Sequence, residues 1–335
     1  MISSSLIRAE GLTKEYSISV GKSLRRTKFT AVNNVSLSIA KGEVFGLVGE
    51  SGCGKSTLAM LLLRLLDISG GSIYYGDTDI TGLSYGKMRQ LRKNMQVVFQ
   101  DPYDSLDPRF TLEQIMEEPL KIHSFGNRAE RRERIARMFG EVGLGSELLK
   151  RYPHQLSGGQ RQRLCIARSL VLSPEFVVCD EAVASLDVSV QAQILNLLLD
   201  LKDEFSLTYL FISHNLAVVK FVSDRIGVMY FGSLVELAAT EELFQNVRHP
   251  YTSALLSSAP DPDPTITKQR DILQSSVPSL IKPPGGCVFH PRCKYAAELC
   301  AIEPPELTNI GNDHYVACHK AGLPLSDMVQ SGGPV

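Results

Sequence analysis

Residues Gly49-Glu50-Ser51-Gly52-Cys53-Gly54-Lys55-Ser56 carry the spacing G-x-x-x-x-G-K-[ST], and no other stretch restricts the fold of this chain so tightly. Such a loop works only where a buried strand delivers it and a helix leaves it. Its glycines then let the backbone curl until the N–H groups and the helix N-terminus face a polyphosphate. The flanks meet both conditions, Glu43 to Val48 reading as a buried strand and Lys55 to Leu66 as a helix. The spacing assigns Gly49, Ser51, Gly52, Cys53, Gly54 and Thr57 to the phosphate cradle, Lys55 to the β and γ phosphates, and Ser56 to magnesium. Cys53 stands near Lys55 and a helix N-terminus, both of which lower a thiol pKa, so its alkylation is expected to block nucleotide use. The blander reading of Cys53 is a small filler residue.

A second apolar strand, Phe176 to Cys179, runs into Asp180 and Glu181. A strand end beside a P-loop is where Asp180 can hold the magnesium shell and Glu181 can polarise an attacking water. Paired carboxylates can also merely cap a turn, but the P-loop in the same chain favours the catalytic reading. Met95 to Phe99 and Leu207 to Ile212 read as further buried strands. Alternation of such strands with helical patterns over residues 1–258 predicts an α/β core. The stretch from about 101 to 172 interrupts that rhythm and reads as an inserted helical subdomain. Within it, Asn127 and Glu130 form a capping-box pattern opening a helix over Arg128 to Val142. Glu130 and Glu133 stand four residues before Arg134 and Arg137, so the arginine-rich face is expected to be a solvated, ion-paired surface, not a nucleic-acid patch. Pro260, Pro262, Pro264, Pro278, Pro283 and Pro284 mark a linker over 259–286, and a small cysteine-rich module follows over 287–335.

Composition narrows the function classes. The 335 residues suffice for about two domains. With 35 Lys+Arg against 36 Asp+Glu, nothing suggests a whole-protein grip on nucleic acid or on an anionic bilayer. No run of about 18 apolar residues is present, and no secretory signal is visible at the N-terminus, so the chain is expected to stay in the cytoplasm with reduced thiols. Of its 7 cysteines, Cys287, Cys293, Cys300 and Cys318 crowd near the end, which in a reducing compartment suggests metal before disulfides.

Upstream of the two carboxylates lies Leu156-Ser157-Gly158-Gly159-Gln160. With this pentapeptide the chain resembles the nucleotide-binding subunits of ABC transporters, whose signature it matches. The resemblance spans about residues 6–258 and implies an α/β fold: a RecA-like P-loop NTPase core with an antiparallel β subdomain and an inserted α-helical subdomain, here with a small C-terminal module. It implies an ATPase in which Ser157, Gly158, Gly159 and Gln160 bind the γ phosphate of an ATP held by the opposite subunit. Gln100 resembles the glutamine that touches magnesium and senses the membrane partner, and His214 the histidine that contacts the γ phosphate. Asp187 resembles the aspartate reaching across the dimer, and Tyr16 the aromatic that stacks on adenine. Catalysis is thus assigned to Glu181, His214, Lys55 and Gln100, and magnesium to Ser56, Gln100 and Asp180. One departure is Ala182, where the family usually has proline; losing that fixed φ is expected to loosen the link from Glu181 to Asp187.

Gln100 to Arg109, Arg248 to Thr252 and Pro283 to Cys293 resemble the oligopeptide and dipeptide importer branch. That resemblance implies ATP-driven peptide import with a second ABC ATPase, two permease subunits and indirectly a solute-binding protein. It also implies a peripheral place on the cytoplasmic face of the bacterial inner membrane, without nucleic acid. Sugars, opines or nickel chelates stay open as the solute. A soluble ABC ATPase acting on DNA or ribosomes is disfavoured, because no second cassette, coiled coil or zinc-bearing insert is visible. A static regulatory subunit is disfavoured by Glu181 and His214. Some members of the branch bind a [4Fe-4S] cluster through four C-terminal cysteines, a pattern that Cys287, Cys293, Cys300 and Cys318 match; zinc, with His290, His314 or His319 as alternative ligands, or metal-free thiols are the other readings.

Overall fold

The computed structural model describes residues 5–19, 26–101, 105–258 and 283–328. Pro102, Tyr103 and Asp104 of the segment after Gln100, and Pro260, Pro262, Pro264 and Pro278 of the expected linker, lie outside the described residues. The chain opens with two long strands, β1 (Ser5–Ser19) and β2 (Arg26–Ala40), followed by β3 (Val44–Val48), the helix α1 (Lys55–Leu62), β4 (Gly70–Tyr75) and β5 (Thr78–Asp79). Helix α2 (Tyr85–Leu91) leads into β6 (Met95–Val98), and the insert contributes α3 (Leu112–Ile122), α4 (Arg128–Glu141) and α5 (Gly158–Leu170). The core resumes with β7 (Phe176–Asp180), α6 (Val188–Phe205), β8 (Thr208–Ile212), α7 (Leu216–Val222), β9 (Arg225–Tyr230), β10 (Ser233–Ala239), α8 (Thr240–Gln245) and α9 (Pro250–Ser258). The C-terminal module holds α10 (Glu298–Ile302), β11 (Thr308–Asn309) and β12 (Tyr315–Val316).

Strands β2-β1-β4-β5 form an antiparallel sheet, and β11-β12-β10-β9-β3-β8-β7-β6 form a second sheet whose run from β9 to β6 is parallel. Strand alternation explains the apolar runs. On β3, Val44 and Val48 join one buried cluster and Phe45 and Leu47 the other; on β8, Tyr209 and Phe211 divide from Leu210 and Ile212 in the same way. Both faces of the parallel sheet are therefore covered, so its strands are apolar throughout. One cluster packs the sheet against the insert through Ile115, Met116, Phe139 and Leu164. The other holds Leu58, Leu61 and Leu62 of α1 with Ile7, Val35 and Ile39 of the antiparallel sheet.

Two expectations are corrected. Helix α1 stops at Leu62, four residues early, because Arg64 turns into the left-handed region at φ 51°. The arginines of α4 do not pair with Glu130 and Glu133. Glu130 closes the capping box on Asn127, while Arg131 reaches Glu117, Arg132 reaches Glu113 and Arg137 reaches Glu141. In the C-terminal module, β12 pairs with β10 through Glu236–Val316 and Leu237–Tyr315 and extends the core sheet. No helix among the described residues is long and apolar enough to cross a membrane.

Candidate functional site

The loop between β3 and α1 lies at the C-terminal end of the parallel sheet. Two of its glycines are required by geometry. At Gly54, φ is 105° and a Cβ would stand 2.3 Å from the Ala31 carbonyl oxygen; at Gly49 it would stand 2.1 Å from that of Met229. No other residue lets the backbone pass so close. Lys55 is buried, and its Nζ donates to the carbonyls of Gly49 at 2.9 Å and Glu50 at 3.0 Å. Gly54 caps α1 without a side chain, so the first N–H groups of the helix receive no side-chain acceptor there.

Strand β7 passes beside α1 and delivers Asp180 to the loop, where Ser56 Oγ donates to Asp180 Oδ1 at 3.1 Å. Burial pushes the Asp180 carboxyl above its ordinary value; the Ser56 bond and Lys55 oppose the rise, and neighbouring Glu181 adds to it. Glu181 is a non-glycine residue at φ 48°. Its N–H donates to the Ile212 carbonyl at 3.0 Å, which ties it to the end of β8, and its Oε1 lies 3.4 Å from Nδ1 of His214 just beyond that strand. Ala184 N–H returns to the Glu181 carbonyl, and Ala182 is buried, so hydrogen bonds and packing hold this turn without a proline.

Ser157 caps α5 in a reciprocal box, Gln160 N–H donating to Ser157 Oγ at 3.3 Å and Ser157 N–H to Gln160 Oε1 at 3.0 Å. Ser157 and Gly158 are exposed. A Cβ on Gly159 would meet Val190 Cγ1 at 2.8 Å, so small residues let α5 seat against the start of α6. Asp187 caps α6, accepting from the Val190 N–H and the Ser189 hydroxyl, and these bonds, the Val190 one first, hold its carboxyl below its ordinary value. Helix α5 packs on β6, α3, α4 and α6, whereas α1 packs on β2, β7 and β8. The Ser157–Gln160 motif and the P-loop thus lie in different neighbourhoods of one chain. Gln100 is exposed just past β6, and Tyr16 stacks on Phe29 with ring centroids 5.5 Å apart.

Cys53 departs from expectation: burial raises its thiol pKa, and Lys55 offsets this only in part. Sequence reasoning also missed the outer anchors of the loop. Glu50 N–H donates to the Tyr251 hydroxyl at 2.8 Å, and the Glu50 carboxylate accepts two bonds from Arg292 at 2.9 and 3.0 Å. No local pattern signals a pair 242 residues apart.

Cys287, Cys293, Cys300 and Cys318 line one cavity with His249, His290 and His319. The donor set suits a metal by type, and burial raises Cys287, Cys318 and, to about 12, Cys293. Among the described residues, however, no group of three or more His, Cys, Asp or Glu is placed to hold a metal ion, so the iron–sulfur and zinc expectations gain no support from this placement. His314 lies elsewhere, bonded to buried Glu236 at 2.8 Å.

The fold and the Lys55–Ser56–Asp180 arrangement define a P-loop nucleotide-binding protein. The ABC transporter family profile matches residues 32–184, and the profile of the oligopeptide/dipeptide transporter C-terminal region matches 235–300. The chain is 45% identical to the "Probable peptide ABC transporter ATP-binding protein" of Sinorhizobium fredii, over 100% of this chain and 99% of that protein. It is 49% identical to the oligopeptide transport ATP-binding protein AppF of Bacillus subtilis, over 86% and 89%. Among solved structures it resembles cbiO1 of Clostridium perfringens, part of an ABC transporter complex, with a TM-score of 0.63 and 27% identity over 72% of this chain and 91% of that one. The ATP-binding cassette MJ0796, in a dimeric structure bound to ADP and Pi, matches with a TM-score of 0.61 and 27% identity over 70% and 98%. This chain belongs to the ATP-binding subunits of the ABC transporter family, with the C-terminal region of its oligopeptide/dipeptide branch.

Proposed function

We propose that this subunit hydrolyses ATP to drive import of di- or oligopeptides, supplying half of each of two composite sites. The observation that carries the reading is the convergence of Lys55, Ser56 and Asp180, with Glu181 facing His214, at the end of the parallel sheet. Lys55 leaves its loop carbonyls for the β and γ phosphates, with Gly49, Ser51, Gly52, Cys53, Gly54 and Thr57 lining the cradle and Tyr16 offered to adenine. Ser56, Asp180 and Gln100 would hold magnesium, which neutralises phosphate charge when bound. Glu181 orients and polarises water, and His214 contacts the γ phosphate. Ser157, Gly158, Gly159 and Gln160 serve the nucleotide of the facing subunit and Asp187 approaches it. The separation of the Ser157–Gln160 motif from the P-loop supports this two-chain site, since one chain alone holds two unlike halves.

The domain reading is a nucleotide domain over 1–258, a linker over 259–286 and a module over 287–335. Two permease subunits, a second ATPase that is either an identical or a related chain, and indirectly a solute-binding protein complete the importer at the cytoplasmic face of the inner membrane. Relatives named for peptide transport at 45% and 49% identity support the peptide reading. For the C-terminal thiols, which line one cavity, the finer reading is a [4Fe-4S] cluster, with zinc or metal-free thiols as the alternatives. Stoichiometric iron and sulfide in an anaerobic preparation would support the cluster; a metal-free preparation would dismiss both metal readings.

Glu181→Gln tests the chemistry. It should still bind MgATP and lock the pair closed, while turnover falls by about 100-fold or more; brisk hydrolysis by the folded variant would overturn the assignment. Gentle detergent extraction from native membranes tests the partners, with two multi-spanning permeases and a second ATPase expected by mass spectrometry. Ribosomal proteins or nucleic acid alone would overturn transport.

A further inference from the structure

The C-terminal module touches the nucleotide loop itself. Arg292 lies on a short helical turn, His290–Arg292, fixed by Arg292 N–H to the Phe289 carbonyl at 3.0 Å and Cys293 N–H to the His290 carbonyl at 3.2 Å. That turn is seated by Phe289, which is buried against Tyr230 and Tyr251 with ring centroids 5.3 and 5.5 Å away. From this base the Arg292 side chain, only 5% exposed, presents both terminal nitrogens to the two carboxylate oxygens of Glu50, and one of them also reaches the Tyr230 hydroxyl at 3.4 Å. A planar fork of this kind fixes both position and direction of a carboxylate.

Glu50 is the first residue after Gly49 in the phosphate loop. Its carbonyl accepts from Lys55, its N–H donates to Tyr251, and its carboxylate is held by Arg292. Every polar group of this one residue is therefore fixed, two of them by segments 201 and 242 residues away. Left without Arg292, the same carboxylate would place an uncompensated negative charge beside a polyphosphate site and free the loop to move.

We propose that Arg292 is a positioning residue of the nucleotide site, acting through Glu50, so that the C-terminal module sets the affinity of the P-loop for the triphosphate. Arg292 touches neither the reacting atoms nor the nucleotide. Its work is to neutralise the Glu50 charge and hold the loop in the curl that presents its N–H groups. The proposal rests on the P-loop being the ATP site, which a Lys55→Ala control tests separately: unchanged ATP binding in that variant would fail the site assignment, not the clamp.

The decisive experiment is a double-mutant cycle on the full chain with Arg292→Gln, Glu50→Gln and the pair, reading the Kd for MgATP and the KM and kcat of ATP hydrolysis. Arg292→Gln is expected to raise Kd and KM about tenfold, the scale of one charge-assisted contact, with kcat changed less than about twofold. In the Glu50→Gln background the same substitution should change Kd by less than about twofold. Arg292→Lys, which keeps the charge without the fork, should fall between. If Arg292→Gln does not fold, Arg292→Lys is compared in the two backgrounds instead. Equal losses in both backgrounds would mark Arg292 as a general packing residue and overturn the proposal, as would no loss in either.

Discussion

Cys53 shows how one residue can read differently in sequence and in space. Proximity to Lys55 and to a helix start argues for a low thiol pKa, but 6% exposure leaves too little water to solvate a thiolate, and burial raises the pKa from 9.0. The expected outcome is slow alkylation near neutral pH, with a rate that keeps climbing as pH passes 9.0 and shows no plateau below it. Kinetics of thiol labelling, with the other six cysteines replaced or resolved by peptide mapping, check this; a plateau below pH 8 would restore the reactive-thiol reading. Lys55, Ser56 and Asp180 meet at one end of the sheet, Lys55 on the loop carbonyls and Ser56 on Asp180, because the loop, the helix and the adjacent strand end leave those side chains few other places to go.

Asp187 belongs to the scale of elements, since its side chain already caps α6 through the Val190 N–H at 3.0 Å. A cap of this kind contributes about 1 kcal/mol, and asparagine supplies it as well as aspartate. Asp187→Asn should therefore keep the stability of the chain while Asp187→Ala loses about 1 kcal/mol, measured by urea unfolding. If both lose ATPase activity at saturating nucleotide, the charge acts beyond the cap; if only the alanine variant does, capping accounts for it. Helices α4 and α5 follow the same logic with reciprocal boxes at Asn127 and Ser157, and the Asn127–Glu130 pair was legible because such a box is a local, four-residue device. The pairings of Arg131 and Arg132 were not. Their partners Glu117 and Glu113 come from α3, a neighbour that helical spacing alone cannot name.

At the scale of the whole molecule, the module is bound to the core by a buried polar cluster as well as by Arg292. Glu236 on β10, fully buried, accepts the N–H groups of Arg248 and His249 and bonds His314 at 2.8 Å. His249 sits in the same region, its Nδ1 accepting the Tyr251 N–H at 3.1 Å and its ring 5.7 Å from Phe289. Burial pushes its pKa from 6.5 down to about 4, with Glu236 opposing the shift. Between those values the unfolded chain binds a proton that the folded chain refuses, so the stabilisation is present above pH 6.5 and is lost as pH falls through 4. The loss by pH 4 is about 3 kcal/mol. His249→Gln should show a shallower fall over the same window, measured by denaturant unfolding at a series of pH values. An unchanged slope would assign the acid sensitivity to other groups.

The sequence by itself determined the P-loop and its flanking strand and helix, the strand-end carboxylates, four of the five parallel strands and the start of α4. Each of these is a short-range pattern in which a few adjacent residues suffice to state the physics. It also carried the family resemblance, because the motifs occur in a fixed order along the chain. Tertiary structure alone decided that β12 joins the core sheet beside β10, that Cys53 is shielded from water, and that Glu50 is held by Tyr251 and Arg292. These depend on which distant segments fold back onto the loop. Burial and long-range pairing are set by the packed whole, where an arginine and a glutamate 242 residues apart become neighbours.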